Sequence, residues 1–162
     1  MPTPTSNDFR RAMAHLPTGV TIVSAPGPEG PAGATANAVI SVSLEPPLML
    51  ASLDRGTRTL AAVQAAEAFG ISVLRADHTE LARSFASRAP HTEKWREIPS
   101  TERAGVPILD EALAWVACGL RETHDAGDHV LLIGDVRELG TASGDPLVFH
   151  GGTYRGLGQD EE

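Results

Sequence analysis

The stretch GATANAVISVSL, Gly33–Leu44, decides how the sequence is interpreted, because it combines a strand pattern with a run of short polar side chains. Its apolar residues are interspersed with Thr35, Asn37, Ser41 and Ser43. Such side chains are either the solvent-facing side of a half-buried strand or hydrogen-bonding partners of a ligand. The pattern alone favours the solvent-facing interpretation, and in both cases the stretch is predicted to be a strand.

The flanking sequence predicts further strands joined mainly by tight turns. The β-branched run VTIVSA precedes the turn-rich PGPEGPAG, so this run and the opening stretch form a predicted hairpin. Pro46 and Pro47 end the second strand, since proline cannot donate to a ladder of hydrogen bonds. A third strand, LMLASL, begins at about Leu48, and FGISVL is a fourth.

Helix signals occur at three places along the chain. Asn7 or Asp8 is predicted to cap a short helix near the N-terminus. Thr57 can cap a helix through TLAAVQAAEA, which is rich in good helix formers. Asp77, with Glu80 at the capping-box position, is predicted to start a helix through HTELARSFASR.

The second half of the chain predicts two long strands preceded by an irregular segment. Residues 89–105 are polar and show no periodic pattern, which predicts a functional or mobile loop. ALAWVACGLRETH and HVLLIGDVREL are predicted to pair antiparallel across the turn Asp125–Asp128, and LVFH is a last short strand. About six or seven strands with two or three short helices favour a mainly β barrel with appended helices over a doubly wound sheet.

Length and composition indicate one small domain with loose ends. The 162 residues suffice for a single core, which we assign to residues 9–157. Residues 1–8 are predicted to be a flexible N-terminus and residues 158–162 an acidic, disordered tail. The formal net charge of −8 argues against a nucleic-acid partner, since binding a polyanion requires clustered Lys and Arg.

Cysteine and histidine usage excludes several kinds of site. Cys118 is the only cysteine, so an intrachain disulfide is excluded, and its apolar surroundings predict a buried, inert thiol. The six histidines are dispersed without the spacing of metal-ligand pairs, so no metal is expected. No segment has the signal-peptide pattern or the apolar length of a membrane span, and we expect a cytoplasmic protein without a membrane partner.

One cluster has the composition of a phosphate site. Arg55, Thr57, Arg58 and Thr59 surround the predicted start of a helix, where free backbone amides and hydroxyls favour an anion. An arginine adds a charged, forked donor. The alternative is an ordinary helix cap beside solvated arginines, which explains one threonine better than it explains the four residues together.

Five segments resemble the flavin reductase-like family, in the order that this family has. They are FRRAMAHLPTGVTIVSA, ATANAVISVSLEPPLMLASLDRGTRT, FGISVLRADHTELARSFASR, AGDHVLLIGDV and DPLVFHGGTYRGL. The resemblance implies an α+β, mainly β fold, a split β-barrel of the FMN-binding type with short flanking helices. It also implies FMN or FAD as cofactor, NADH or NADPH as co-substrate, a homodimer, and a flavin-dependent monooxygenase that receives the reduced flavin.

The same resemblance implies which residues contact the cofactor. On the opening stretch the flavin-lining residues are Thr35, Ala36, Asn37 and Ala38. Around the flavin phosphate they are Ala51, Ser52, Leu53, Asp54, Arg55, Thr57 and Thr59. Further contacts fall on Phe85, Ala86, Ser87, Arg88, His150 and Tyr154. His129 is the implied catalytic residue, beside the exposed flavin face on which the nicotinamide stacks.

The implied reaction is hydride transfer from a reduced nicotinamide to the flavin. Such a transfer depends on stacking and orientation more than on a strong acid or base. The lack of a nucleophile motif in the sequence agrees with that chemistry. Two alternatives stay open at this point: a non-catalytic flavin-binding or sensor protein of the same fold, and a β-barrel interaction module without a cofactor.

Overall fold

The computed structural model describes residues 1–158, which form four helices and twelve strands. The helices are α1 (Ser6–Met13), α2 (Arg58–Ala66), α3 (Thr79–Ala86) and α4 (His91–Lys94). The first six strands are β1 (Thr18–Gly19), β2 (Thr21–Ala25), β3 (Ala32–Ala36), β4 (Val39–Leu44), β5 (Pro47–Asp54) and β6 (Ala68–Val73). The others are β7 (Ser100–Arg103), β8 (Val106–Leu109), β9 (Ala114–Ala126), β10 (His129–Thr141), β11 (Leu147–His150) and β12 (Thr153–Gly156). Residues 159–162 of the predicted acidic tail lie outside the described residues.

Seven antiparallel strands form the main sheet, in the order β3-β2-β6-β9-β10-β5-β4. The two edge strands, β3 and β4, are consecutive along the chain, so the sheet must curl to bring its edges together. At this joint the Ser52 N–H donates to the Ala38 carbonyl at 2.9 Å. The predicted mainly β fold with short flanking helices is therefore confirmed, and the curl fits a split barrel.

The opening stretch forms two strands, so the prediction of one continuous strand is wrong. β3 pairs with β2, as the predicted hairpin requires, whereas β4 pairs with β5 at the opposite edge of the sheet. The chain turns at Asn37–Ala38, where the Val39 N–H donates to the Asn37 carbonyl at 3.1 Å. Residues 34–44 contain no glycine or proline that would mark this turn, which is why the pattern alone did not locate it.

Two helix caps differ from the predicted ones. Thr5 caps α1, and Asp8 completes the capping box by accepting from the Thr5 N–H at 3.0 Å, so the helix begins within residues 1–8. At α3 the N-cap position belongs to His78, with no side-chain cap. Asp77 instead pairs with Arg75, with 3.3 Å between Asp77 Oδ1 and Arg75 Nε. This ion pair removes the Asp77 carboxylate from the helix end.

The segment 89–105, predicted to be an irregular loop, contains regular structure. It forms α4 and β7, and β7 pairs antiparallel with β8. Ala104 and Gly105 make the hairpin turn with φ values of 44° and 81°. Trp95, at the end of α4, is buried with its ring centroid 5.0 Å from that of Phe85. This aromatic contact therefore packs the segment against the core, although the mainly polar composition of the segment gave no indication of it.

The two larger of three core clusters hold the sheet and its helices together. The first lies inside the curl and includes Phe69, Ile71 and Leu132. The second lies between α3, α4 and the sheet and includes Phe85 and Trp95. Burial of such side chains contributes about 1.5–3 kcal/mol each to folding.

Cys118 lies in the first cluster and is almost inaccessible to solvent. Burial raises the pKa of its thiol to about 12, so the thiol stays protonated at neutral pH. The prediction of a buried cysteine is therefore confirmed. Among the helices formed by residues 1–158, none has the length and apolar character needed to cross a membrane.

Candidate functional site

An open cleft of about 630 Å³ lies where four segments of the chain meet. Its volume is within the range of small-molecule sites, about 300–1,000 Å³. The segments are β3, the loop from β5 into α2, the end of α3, and α4. The lining residues are Ala34, Thr35, Asp54, Gly56, Thr57, Arg58, Thr59, Phe85, Ala86, Ser87, Arg88, His91 and Lys94.

The N-terminus of α2 forms one end of the cleft. Thr57 caps the helix by accepting from the Leu60 N–H at 3.2 Å, and it donates to the Asp54 carbonyl at 3.1 Å. The Asp54 side chain accepts from the Gly56 N–H at 2.7 Å and so fixes the loop. Because the first amides of a helix have no partner within the helix, this end offers donors and a positive dipole to an anion.

Positive charge is concentrated in the cleft, although the chain carries a net charge of −8. Arg58, Arg88 and Lys94 line it, against the single carboxylate of Asp54. Lys94 is buried, and its Nζ donates to the Phe85 carbonyl at 3.1 Å. Burial lowers the pKa of Lys94, and the neighbouring Arg58 lowers it further. An anion bound here would relieve the cost of holding these charges together.

His91 offers a hydrogen-bond donor that no described residue satisfies. Its Nδ1 accepts from the Gly33 N–H at 3.4 Å, so in the neutral ring the proton resides on Nε2. This Nε2 is buried and has no partner among residues 1–158. Burial lowers the pKa of His91, and Lys94 and Arg58 lower it further. The ring is therefore a neutral donor at the cleft, suited to an acceptor such as a phosphate oxygen.

We expect His91 to make the protein sensitive to acid. Because its folded-state pKa lies below the ordinary 6.5, the unfolded chain takes up the proton first as the pH falls. The stability that depends on a neutral His91 is present above that ordinary value and is lost as the pH falls through the folded-state pKa. Urea unfolding above pH 6.5 and below the folded-state pKa should show a smaller loss of stability with falling pH in His91→Gln than in the wild type. In this variant the amide oxygen still accepts from the Gly33 N–H. Equal losses in the two proteins would contradict this role.

Gly33 allows the cleft wall to lie close to the sheet. A Cβ at this position would lie 2.8 Å from Phe85 Cε1 and 3.0 Å from Trp95 Cζ2. The neighbouring Thr35 donates to the Ala82 carbonyl of α3 at 2.6 Å. β3 is therefore joined to α3 by a hydroxyl and to α4 by the His91 ring, and these contacts set the width of the cleft.

The structure brings together about half of the residues that the sequence assigned to a cofactor. Those that line the cleft are Thr35, Asp54, Thr57, Thr59, Phe85, Ala86, Ser87 and Arg88. Asn37 and Ala38 lie in the turn between β3 and β4, outside the lining. Ala36, Ala51 and Leu53 are buried in the first core cluster, and half-buried Ser52 lies between two of them.

Arg55 points away from the cleft, unlike the sequence-based expectation. Its Nη1 donates to Asp125 Oδ1 at 2.9 Å and its Nη2 to the Gly127 carbonyl at 3.2 Å. It therefore holds the β9–β10 turn against the end of β5. Arg58 lines the cleft instead, three residues further on, where the first turn of α2 directs it to the other side of the loop.

His129 lies beside the cleft without lining it. It pairs in register with Asp54, a lining residue, at the start of β10. Its Nδ1 lies 2.7 Å from Asp128 Oδ1, and 43% of its side-chain surface is exposed. The hydrogen bond with His129 lowers the pKa of Asp128, with a further contribution from the charge of His129. This carboxylate fixes the orientation of an accessible imidazole.

His150 and Tyr154 lie on the β11–β12 hairpin, outside the cleft lining. The Tyr154 ring packs on Phe149 with centroids 5.1 Å apart and belongs to the edge of the second core cluster. Burial raises the pKa of its hydroxyl, and the charge of Arg83 opposes that shift. Within residues 1–158 no group of three or more His, Cys, Asp and Glu is placed to hold a metal ion.

The sequence reasoning missed several lining residues. They are Ala34, Gly56, His91 and Lys94. His91 and Lys94 fall in the segment that was predicted to be an irregular loop, so no pattern directed them to the cleft. Arg58, in contrast, was part of the predicted phosphate cluster, and it lines the cleft from the first turn of α2.

Known proteins match almost the whole chain. Residues 13–158 match the family described as flavin reductase like domain. The chain is 40% identical over 151 residues to "FMN reductase (NADH) SmoA" of Agrobacterium fabrum, covering 92% of this chain and 84% of that protein. It is 34% identical to the reductase component of a 4-nitrophenol 4-monooxygenase/4-nitrocatechol 2-monooxygenase of Rhodococcus opacus, covering 91% and 78%.

The fold of this chain also matches a solved structure along almost the full length of both chains. It is that of the NADH:FAD oxidoreductase SgcE6 of Streptomyces globisporus C-1027 in complex with NAD and FAD fragments. The two chains superpose with a TM-score of 0.91 at 30% identity, covering 100% of this chain and 99% of the other.

Proposed function

This chain belongs to the flavin reductase-like domain family, and from that premise we propose that it is an NADH-dependent flavin reductase that uses FMN or FAD. The observation that carries the proposal is the cationic cleft at the N-terminus of α2, which lies in an acidic protein. Relatives named for their electron donor are named for NADH, which favours NADH over NADPH.

The residues of the cleft fit a flavin bearing a phosphate. Arg58 and Arg88 offer two guanidinium groups, the end of α2 that Thr57 caps offers backbone amides, and the unpaired donor of His91 adds a further polar contact. Arginine binds phosphate in a charged, forked geometry that strengthens each hydrogen bond. Phe85 supplies an apolar wall for the adjoining part of the ligand. Thr35, Asp54, Thr59, Ala86 and Ser87 complete the proposed contacts.

The bound flavin supplies the hydride acceptor, and the protein supplies position. The open side of the cleft leaves room for a nicotinamide to stack, and hydride transfer needs close, aligned rings more than proton transfer. His129 is the proposed catalytic residue, because its accessible imidazole stands at the edge of the cleft beside Asp54. Asp128 orients that imidazole by a hydrogen bond.

Anaerobic stopped-flow absorbance tests the proposed activity. Each of FMN and FAD is mixed with the protein and with either NADH or NADPH, and loss of the oxidised flavin band is followed. We expect bleaching with NADH, with a smaller rate for NADPH. Flavin binding without bleaching by either donor would identify a non-catalytic flavin-binding protein, and no quenching of flavin fluorescence would identify an interaction module.

Replacing His129 with alanine should affect the nicotinamide more than the flavin. We expect the KM for NADH to rise by about tenfold while the Kd for FMN changes little, since losing a polar contact costs about 1.5 kcal/mol. Steady-state kinetics and flavin fluorescence quenching measure the two constants separately. His124→Ala, an exposed histidine on the same pair of strands, is the matched control. A weakened FMN affinity with an unchanged KM would instead place His129 in the flavin site.

We also propose that two copies of the chain form a homodimer. Ile40, Val42 and Leu44 alternate along edge strand β4, with 58%, 47% and 93% of their surfaces exposed. An exposed apolar row on an edge strand is unusual for a monomer, because it favours association. Light scattering during size exclusion should give the mass of a dimer for the wild type and of a monomer for Val42→Glu. A monomeric wild type would contradict the proposal.

The proposed partner is a separate flavin-dependent monooxygenase that receives the reduced flavin. The support is that one relative is the reductase component of a 4-nitrophenol 4-monooxygenase/4-nitrocatechol 2-monooxygenase. The open cleft agrees with a flavin that leaves by diffusion. A cytoplasmic location is also proposed, since the one thiol, Cys118, is free and buried, as is usual in a reducing compartment.

A further inference from the structure

Lys94 is the only lysine in the chain. Arginine supplies every other one of the 13 Lys and Arg residues, including Arg58 and Arg88 in the same cleft. An arginine keeps its charge in proteins, whereas a buried lysine loses its proton readily and its amine can then react as a nucleophile. The chain therefore has a single side-chain amine, and this amine lies in the cleft that we assign to a phosphate.

The contacts of the Lys94 amine suit its neutral form. The side chain is buried, and its Nζ donates to the Phe85 carbonyl at 3.1 Å. Lys94 forms no ion pair with a carboxylate of residues 1–158. Burial lowers the pKa of Lys94, and the charge of Arg58 lowers it further. A neutral amine keeps its hydrogen bond to the Phe85 carbonyl and still has a lone pair with which to attack an electrophile.

The groups around this amine are donors that would hold a phosphate. Arg58 and Arg88 line the same cleft and offer charged, forked donors. The buried Nε2 of His91 adds a donor that has no partner among residues 1–158. Phosphate donors and a nucleophilic amine therefore share one open space of about 630 Å³. A reagent that uses both is an acyl phosphate, in which a phosphate is joined to an electrophilic carbonyl carbon.

We propose that Lys94 is a site of N-acylation by acyl phosphates, which the cleft binds by their phosphate end. The Lys94 nitrogen attacks the acyl carbon, and the new N–C bond replaces the bond from that carbon to the phosphate oxygen. Inorganic phosphate leaves and takes up the proton that the nitrogen loses. The amide product is neutral, so one of the three cations of the cleft is lost. The consequence for flavin binding rests on the proposed function, because a flavin phosphate would use the same cations.

Acetylation of the whole purified protein by two reagents tests the inference. Acetyl phosphate carries the phosphate that the cleft would bind, whereas acetic anhydride acylates amines without one. Peptide mass spectrometry gives the acetylated fraction of Lys94 and of the N-terminal amino group, which lies on an exposed segment. We expect the ratio of Lys94 to N-terminal acetylation to be about tenfold higher with acetyl phosphate, because binding places only this reagent beside the amine.

A variant of the phosphate donors checks the binding step. Arg88→Ala should lower the acetylation of Lys94 by acetyl phosphate about tenfold and leave its acetylation by acetic anhydride nearly unchanged. Arg96→Ala, at an exposed arginine after α4 outside the cleft lining, is the matched control. Inorganic phosphate should protect Lys94 from acetyl phosphate. Equal ratios with the two reagents, or acetylation that neither Arg88→Ala nor inorganic phosphate reduces, would overturn the inference.

Flavin binding is measured separately, by quenching of FMN fluorescence. Acetylated wild type should bind FMN about tenfold more weakly than untreated protein, and the same treatment should not change the Kd of Lys94→Arg, which keeps the charge and lacks the amine. If FMN neither binds nor protects Lys94 while inorganic phosphate protects it, the acylation site stands and the proposed function fails. If FMN binds and Lys94 is not acetylated, the inference fails and the proposed function stands.

Discussion

The double variant Thr57→Ala/Arg58→Ala should bind FMN about 30- to 1,000-fold more weakly than the wild type, a loss of ~2–4 kcal/mol. Both residues line the cleft: Arg58 can donate to the phosphate, which contributes about 1.5–3 kcal/mol, and Thr57 holds the loop and the helix end whose amides face the anion. Both side chains stand at the start of α2, where the helix dipole favours the same anion. Quenching of FMN fluorescence by the titrated protein measures the change.

Two controls separate phosphate binding from damage to the helix. Loss of the Thr57 cap costs about 1 kcal/mol of stability in any case. Riboflavin lacks the phosphate, so its Kd should be almost the same in the wild type and the double variant. Arg55→Ala should leave the Kd for FMN nearly unchanged, since Arg55 pairs with Asp125 outside the cleft. A large effect of Arg55→Ala, or an equal loss for riboflavin, would contradict the assigned phosphate position.

Phe85→Ala should lower the free energy of unfolding by about 3–5 kcal/mol, as truncation of a buried aromatic does. The Phe85 side chain is 1% exposed and meets the Trp95 ring edge to face, with centroids 5.0 Å apart and planes at 88°. It thus joins α3 to α4 beneath the cleft. Urea unfolding followed by circular dichroism measures the loss.

The matched control for this change is Phe9→Ala, because Phe9 is 64% exposed on α1. It should alter the stability of the monomer by no more than about 0.5 kcal/mol. Phe85→Leu keeps most of the buried volume, so it should fold well and still bind FMN more weakly, because it lacks the aromatic wall of the cleft. A Phe85→Ala protein as stable as the wild type would show that α3 and α4 do not depend on this contact.

Local patterns predicted most of the fold. The β-branched and apolar runs that became β2, β5 and β6 and the long pair β9–β10 were located from composition and turn signals. The break at Asn37–Ala38 was missed because pairing with distant strands, and not local propensity, determines where that strand ends. The cap of α3 was misassigned because Asp77 pairs with Arg75 and His78 occupies the N-cap position.

The site was harder to predict because four separate segments build it. Thr57 and Phe85 were assigned through contiguous segments that resemble a known family, and both line the cleft. The sequence does not show which arginine of the 55–58 loop faces the cleft, since the turn into α2 determines their directions. Lys94 and His91 became lining residues only through the packing of Trp95, which no sequence period indicates.

A crystal structure of the protein grown with FMN would show directly where the flavin phosphate binds. We expect the flavin phosphate within hydrogen-bonding distance of Thr57 and Arg58, with the ring system beside Phe85 and one face open toward His129. A phosphate bound elsewhere on the protein, with the cleft at the start of α2 holding no part of the flavin, would contradict it.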